Sequence, residues 1–365
     1  MTAADPVLGE MERDLGLSLD GSSLFALLPV FALGVAAPFV PWLARRLVPW
    51  KIILWFQLVA VAGILWRSFD GSTGLFGGMI LLGLGIGVAG AAVPGFIKHE
   101  FPSHAPAMMG LYSALIGLGS SAAAAATVPL SHVLGGWRGG LAFWAIPLVA
   151  GIVIWGCYFR SHPSETSEAP LDTKIGRLLG NIRAWQITLF YACRVASAYF
   201  FFTLLAVFLH RRGMKLEDAG LMMAVATLSQ IPASLSAHWL SEKMGNHGAL
   251  IAVSISVACA GLWGMFYAPM EWVLPLSVIL GLGTGTVFSR GMALMVERAK
   301  DQTAAIELSS MAQGFGFTLG ALTALAASSF LPQTGGFFVF CVIYTLMSLG
   351  GIFFGYLSAR PGYVT

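Results

Sequence analysis

Long apolar stretches separated by short polar connections dominate the chain. The stretches run from Leu24 to Leu43, Ile52 to Trp66, Leu75 to Ile97, Ala107 to Val133 and Leu141 to Phe159, then from Trp185 to Leu209, Leu221 to Leu240, Leu250 to Tyr267, Val273 to Val296, Ala304 to Leu331 and Phe337 to Leu357. About 20 apolar residues cover the hydrocarbon core of a bilayer as a helix, whereas a barrel strand needs only about ten. The pattern therefore predicts eleven membrane-spanning helices, five before a polar stretch and six after it, each pairing its backbone groups internally.

The polar stretch, "RSHPSETSEAPLDTKIGRLLGNIRAW", combines proline, serine and charge and reads as a linker between two bundles. The expected division is an N-terminal bundle over 1–159, a linker over 160–184 and a C-terminal bundle over 185–365. The segment before the first span, "MTAADPVLGEMERDLGLSLDGSS", is acidic and has no apolar centre, so it is no signal peptide.

Composition agrees with the span count. Of 365 residues 57% are hydrophobic and only 10% charged, against about 25% charged in soluble proteins. A net charge of +3 with scattered basic residues gives no footprint for nucleic acid. Cys157, Cys193, Cys259 and Cys341 each stand alone in an apolar run, as small packing residues do. No metal cluster, HExxH, Walker sequence or serine-histidine set points to an enzyme, and no cofactor is expected.

Basic residues orient the spans. Arg45, Arg46, Lys51, Lys98, Arg160, Lys174, Arg177, Arg183, Lys243, Arg298, Lys300 and Arg360 fall on one set of alternate connections. The opposite set holds Arg13, Arg67, Arg138, Arg211, Arg212 and Lys215. This bias places the linker and the C-terminus in the cytoplasm.

The chain also repeats itself. "ILLGLGIGVAG" from Ile80 and "VILGLGTGTVF" from Val278 share a Leu-Gly-Leu-Gly-x-Gly core at an offset of 198 residues, Gly83 matching Gly281. Each core opens a span that ends in a charged connection and is followed by another small-residue span. Two spans duplicated in the same order imply parallel halves. The repeat also decides what these glycines do. A dinucleotide fingerprint needs G-x-G-x-x-G between a strand and a helix, whereas Gly281, Gly283 and Gly285 run G-x-G-x-G inside a lipid-length helix, so close helix packing is expected. Ala92 stands in the register of Arg290.

Several pieces carry a family resemblance: "VPGFIKHEFP" from Val93, "MMGLYSALIGLG" from Met108, "GGWRGGLAFWAIP" from Gly135, "AWQITLF" from Ala184, "IPASL" from Ile231 and "LSSMAQGFGF" from Leu308. In these pieces and their order the chain resembles the cyanate and 2-nitroimidazole transporter family of the major facilitator superfamily. The resemblance implies an all-α membrane protein of two parallel six-helix bundles around a cavity that opens alternately to either face. Family members have twelve spans, so the resemblance also implies that the first is missing here, Met1 being an internal start; a genuine eleven-helix protein is the alternative. The superfamily's acid-base motif is absent from "PWLARRLVPWK", where Arg45 replaces the acid, but Glu242 and Lys243 in "HWLSEKMGNHG" keep it and are the expected gating pair.

Candidate substrate residues follow from membrane cost. None of the 17 acids lies deep in a span, Glu297 and Glu307 coming nearest, but two arginines do. Arg194 is roughly 13 Å in from Trp185 and Arg290 roughly 10 Å in from Glu297. A central arginine costs about 2.5 to 3.5 kcal/mol on insertion scales, so it faces a partner or a wet cavity. With no evident acid partner, two guanidinium forks are expected to clamp a carboxylate or small anion. The competing reading has them snorkel to the interface or stack on Tyr199 and Phe288. The resemblance adds that Arg194 stands where relatives commonly carry glutamine. Gln313, Tyr199 and Tyr112 are further candidates; Gln313 is equally explained by a bond to a neighbouring helix, and a residue such as Tyr112 more often serves helix packing. His132, His210 and His238 lie near span ends, where histidine is ordinarily interfacial.

The leading expectation is a monomeric secondary transporter of a small anion, cyanate-like or an organic carboxylate, in a bacterial inner membrane. Its expected partners are that small-molecule substrate and the lipid bilayer. An exporter of drug-like or nitroimidazole compounds and a transport-dead sensor are the alternatives.

Overall fold

The computed structural model describes residues 3–16, 19–161, 170–174, 176–334 and 336–364. Residues 162–169 and 175 of the expected linker, and the Met1 start, lie outside them. The described chain is helical almost throughout: α1 Leu8–Leu15, α2 Leu19–Ala36, α3 Val40–Ala44, α4 Pro49–Phe69, α5 Ser72–Glu100, α6 Ala105–Val133, α7 Trp137–Ala142, α8 Ala145–Ser161, α9 Ile182–Arg211, α10 Leu216–Met244, α11 His247–Tyr267, α12 Val273–Glu297, α13 Gln302–Thr334 and α14 Phe337–Ser358. Ten spans among the described residues are long and apolar enough to cross a membrane. The remaining expected run, Ala304–Leu331, falls within α13, whose first turns carry Glu307, Ser309, Ser310 and Gln313.

Two expected spans are broken by their own sequences. The first passes from α2 through a 3-10 turn, Ala37–Phe39, into α3. Pro38 and Pro41 have no N–H to continue the α-ladder there. The fifth begins as α7 and resumes as α8.

Residues Met1–Glu100, Gly119–Arg177 and Asp301–Gly314 form one compact unit, and Phe101–Leu118, Leu178–Lys300 and Phe315–Thr365 the other. In the first, the short helix α1 buries Met11 with Ala4 and Val7 in a core that includes Phe25, Ile64, Leu75 and Trp137. Asp14 fixes that helix by accepting the Trp137 indole N–H at 3.1 Å and pairing with Arg138 at 3.3 Å. The second unit is built on phenylalanine. Phe200 stacks on Phe340 at 5.0 Å, and Phe208 and Phe266 join the same core.

The internal repeat holds at the level of contacts. A Cβ on Gly85 of α5 would meet Ala60 N and Phe56 O of α4, both at 2.7 Å. One on Gly283 of α12 would meet Ala258 N at 2.7 Å and Ser254 O at 2.5 Å of α11. Ala60 and Ala258 are themselves one repeat apart, so both halves seat the same helix pair through the same missing side chains. Gly83 likewise lies against Pro29 O of α2 and Gly281 against Ala226 O of α10. The glycine run is thus a packing face.

Candidate functional site

Helix α9 starts at a defined point because Asn181 caps it, its side-chain oxygen accepting the N–H groups of Arg183 at 2.9 Å and Ala184 at 3.2 Å. Counting from that cap carries Arg194 into the interior of the second unit, where it is 9% exposed. Its guanidinium carbon lies 5.5 Å from the centre of the Phe288 ring. Among the described residues no carboxylate pairs with it, and its Nε has no hydrogen-bond partner.

Arg194 lines a cavity of ≈ 20 Å³ with Ser197 on its own helix, Thr284 on α12, and Tyr344 and Ser348 on α14. That volume holds about one water. Two of the hydroxyls already donate to their own helices, Ser197 to Cys193 O at 2.7 Å and Thr284 to Leu280 O at 2.9 Å. The guanidinium is the one permanently charged group among the residues that line the cavity.

Arg290 is placed differently from expectation. It is fully buried, and its Nη1 and Nη2 donate to Glu297 Oε1 and Oε2 at 2.9 and 2.8 Å. The expectation that Arg290 lacks an acid partner is corrected. Seven residues advance a helix by roughly 10 Å and return nearly to the same face. The N-terminal tilt of side chains brings Glu297 back toward Arg290, and two long side chains close the gap. The result is a bidentate pair within one helix.

The other candidates scatter. Tyr199 is half-buried and its ring is 6.5 Å from that of Phe317; Tyr112, also half-buried, is an electrostatic neighbour of Tyr191, as Tyr199 and Arg194 are. Gln313 belongs to the first unit, where it donates to Gly90 O at 3.2 Å beside Ser309, which donates to Ala91 O. Arg194 and Gln313 thus lie in different units. Glu242 and Lys243 do not pair among the described residues. Glu242 Oε1 lies 3.5 Å from His238 Nε2, and Lys243 sits 5.0 Å over the Trp239 ring. Gly245, at φ +64°, ends α10 just after them. His132 and His210 are exposed.

Sequence reasoning missed Tyr191. It is fully buried, packs 6.1 Å from Phe317, and its hydroxyl has no hydrogen-bond partner. Its spacing of three from Arg194, the helix-neighbour spacing, was the available signal.

Residues 1–321 match the model of the Major Facilitator Superfamily. The chain belongs to the major facilitator superfamily. It is a multi-pass membrane transporter, and its relatives sharpen the placement. It is 25% identical over 354 residues to the cyanate transport protein CynX of Escherichia coli (strain K12), covering 96% of this chain and 91% of the relative. It is 27% identical over 365 residues to the 2-nitroimidazole transporter of the same organism, covering 98% and 91%. These matches agree with the family read from the sequence pieces. Among solved structures, the superfamily transporter FucP in its outward conformation matches with a TM-score of 0.74 at 12% identity, over 98% of this chain and 95% of that one. At that identity the likeness is one of fold.

Proposed function

We propose that this superfamily member is a secondary active transporter of a small monovalent anion, cyanate-like or an organic carboxylate, with Arg194 as its anchoring charge. The observation that carries this reading is a buried guanidinium that no carboxylate neutralises among the described residues. A charge taken out of water without compensation is costly. An anion arriving at the fork would supply both the missing charge and the missing acceptors. Because Glu297 neutralises Arg290, Arg194 alone of these two arginines lacks a carboxylate partner among the described residues, which favours a single negative charge on the substrate.

The cavity beside Arg194 is smaller than such an anion, so binding requires the surrounding helices to part. Transport would proceed by alternating access, with 1–159 and 185–365 as the two bundles and 160–184 as their linker, and entry of the anion would in addition require α9, α12 and α14 to shift within the second bundle. The protein would act as a monomer in a bacterial inner membrane, linker and C-terminus cytoplasmic. Thermal unfolding of the purified protein with cyanate and a panel of small carboxylates tests the reading. Stabilisation by one of these anions, lost in Arg194→Gln, is expected; equal stabilisation of both proteins contradicts it.

A second reading is favoured by the rings of Phe190, Phe288 and Tyr344 around Arg194 together with the relation to a 2-nitroimidazole transporter. A flat nitroaromatic compound would stack there. Export of such a compound that survives Arg194→Gln selects this reading over the anion.

A further inference from the structure

A second basic site lies at the other end of α9 from its buried middle. Arg183 sits in the first turn of that helix, Arg298 directly follows α12, and Arg360 follows α14. The tail beyond α14 turns back across these ends. Val364 N donates to Arg298 O at 2.7 Å, and Arg298 donates through Nε to Ser358 O at 3.2 Å and through Nη2 to Ala359 O at 2.5 Å. The loop encloses a cavity of ≈ 150 Å³ lined by Arg183, Arg298, Arg360, Gln186, Ser358 and Gly362. That is about ten times the space one water needs.

The charge in this cavity is one-sided. Three arginines line it, and no acidic side chain does among the described residues. The nearest acid in sequence, Glu297, has both oxygens committed to Arg290. Gly362 holds the arrangement open. At φ +133° it adopts a conformation that L side chains rarely take, and a Cβ there would fall on the Arg183 guanidinium. Burial pushes the Arg298 guanidinium below its ordinary pKa, and Arg290 and Arg183 push in the same direction against the pull of Glu297. An anion in the cavity would relieve that repulsion.

We infer that this cavity binds a phosphate-type oxyanion, supplied either by the headgroup of an anionic phospholipid or as a free phosphate group. Planar guanidinium forks match phosphate oxygens bidentately. The site also falls at the ends of the spans that the positive-inside pattern assigns to the anionic, cytoplasmic leaflet, where basic pockets between helices take up lipid headgroups. Occupancy would tie the start of α9, which follows the linker, to the C-terminal tail.

The test uses the full chain purified in neutral detergent, with thermal unfolding as the readout. One arm adds phosphatidylglycerol, with phosphatidylcholine as the uncharged-headgroup reference; the other adds inorganic phosphate, with chloride at equal ionic strength as reference. Arg183→Gln/Arg360→Gln removes two exposed arginines and leaves Arg298 to hold the tail. Arg45→Gln/Arg160→Gln removes the same charge elsewhere. A rise of a few degrees in either arm, lost in the first double variant and kept in the second, supports the site, and the responding arm names the source. No rise in either arm, or an equal rise in the first double variant, overturns it. Should the glutamine variant not fold, Arg183→Lys/Arg360→Lys keeps the charge but loses the forks, and an undiminished response from it overturns bidentate recognition.

Discussion

Arg290 and Glu297 stand seven residues apart on one helix and are joined by two parallel hydrogen bonds, 2.9 and 2.8 Å long, with 1% and 16% of their side chains exposed. Such a pair adds little net stability, but breaking one half of it is expensive because the remaining charge is stranded. Glu297→Gln is therefore expected to destabilise the second unit by about 3–5 kcal/mol. The double change Arg290→Met/Glu297→Leu should cost far less. Unfolding in detergent measures both; a double variant as damaged as the single one contradicts the pairing.

The glycines of the repeat make a matched prediction. A side chain at Gly83 would strike the backbone of α2, and one at Gly281 the backbone of α10. Gly83→Val and Gly281→Val should each cost roughly 1–3 kcal/mol, the usual range for overpacking. Gly220, which has open space around its missing Cβ, serves as the control. Equal effects at all three positions in a melting experiment would remove the packing role.

At the foot of α13, Glu307 holds the end of the linker against the first unit. Its Oε1 accepts Lys174 N–H at 2.8 Å and lies 3.7 Å from Arg177 Nη1. Thr173 donates its hydroxyl to Pro41 O, and Leu171 N donates to Ala44 O at 2.8 Å. Glu307→Ala leaves the Lys174 N–H without its acceptor, a loss on the order of 1–3 kcal/mol. Trypsin should then cut after Lys174 and Arg177 faster than in the unaltered protein. Unchanged digestion would show that the other two bonds hold the strap alone.

Much of the architecture was legible because lipid demands it. Length and apolarity marked the helices, and the shared glycine core marked the repeat, whose partner residues Ala60 and Ala258 then followed at the same offset. Contacts made by reach were not legible. The Arg290–Glu297 pair depends on two side chains stretching along two turns of one helix. The bond from Gln313 to Gly90 joins positions far apart in the chain. Glu242 and Lys243 are adjacent in sequence, yet adjacent residues on a helix point apart. Glu242 meets His238 one turn away, and Lys243 covers Trp239. Arg194 was found through its cost in the membrane, whereas its cavity required the packing of α9, α12 and α14.

The central claim is that Arg194 supplies the charge that holds the transported anion. Uptake of labelled cyanate, or of the carboxylate that stabilises the protein, into proteoliposomes tests it most directly. Arg194→Gln should lose saturable uptake while melting as the unaltered protein does. Arg194→Lys, a point charge without the fork, should weaken apparent affinity on the order of tenfold to a hundredfold, as expected for losing a charge-assisted hydrogen bond. Full uptake by a folded Arg194→Gln protein would contradict the account.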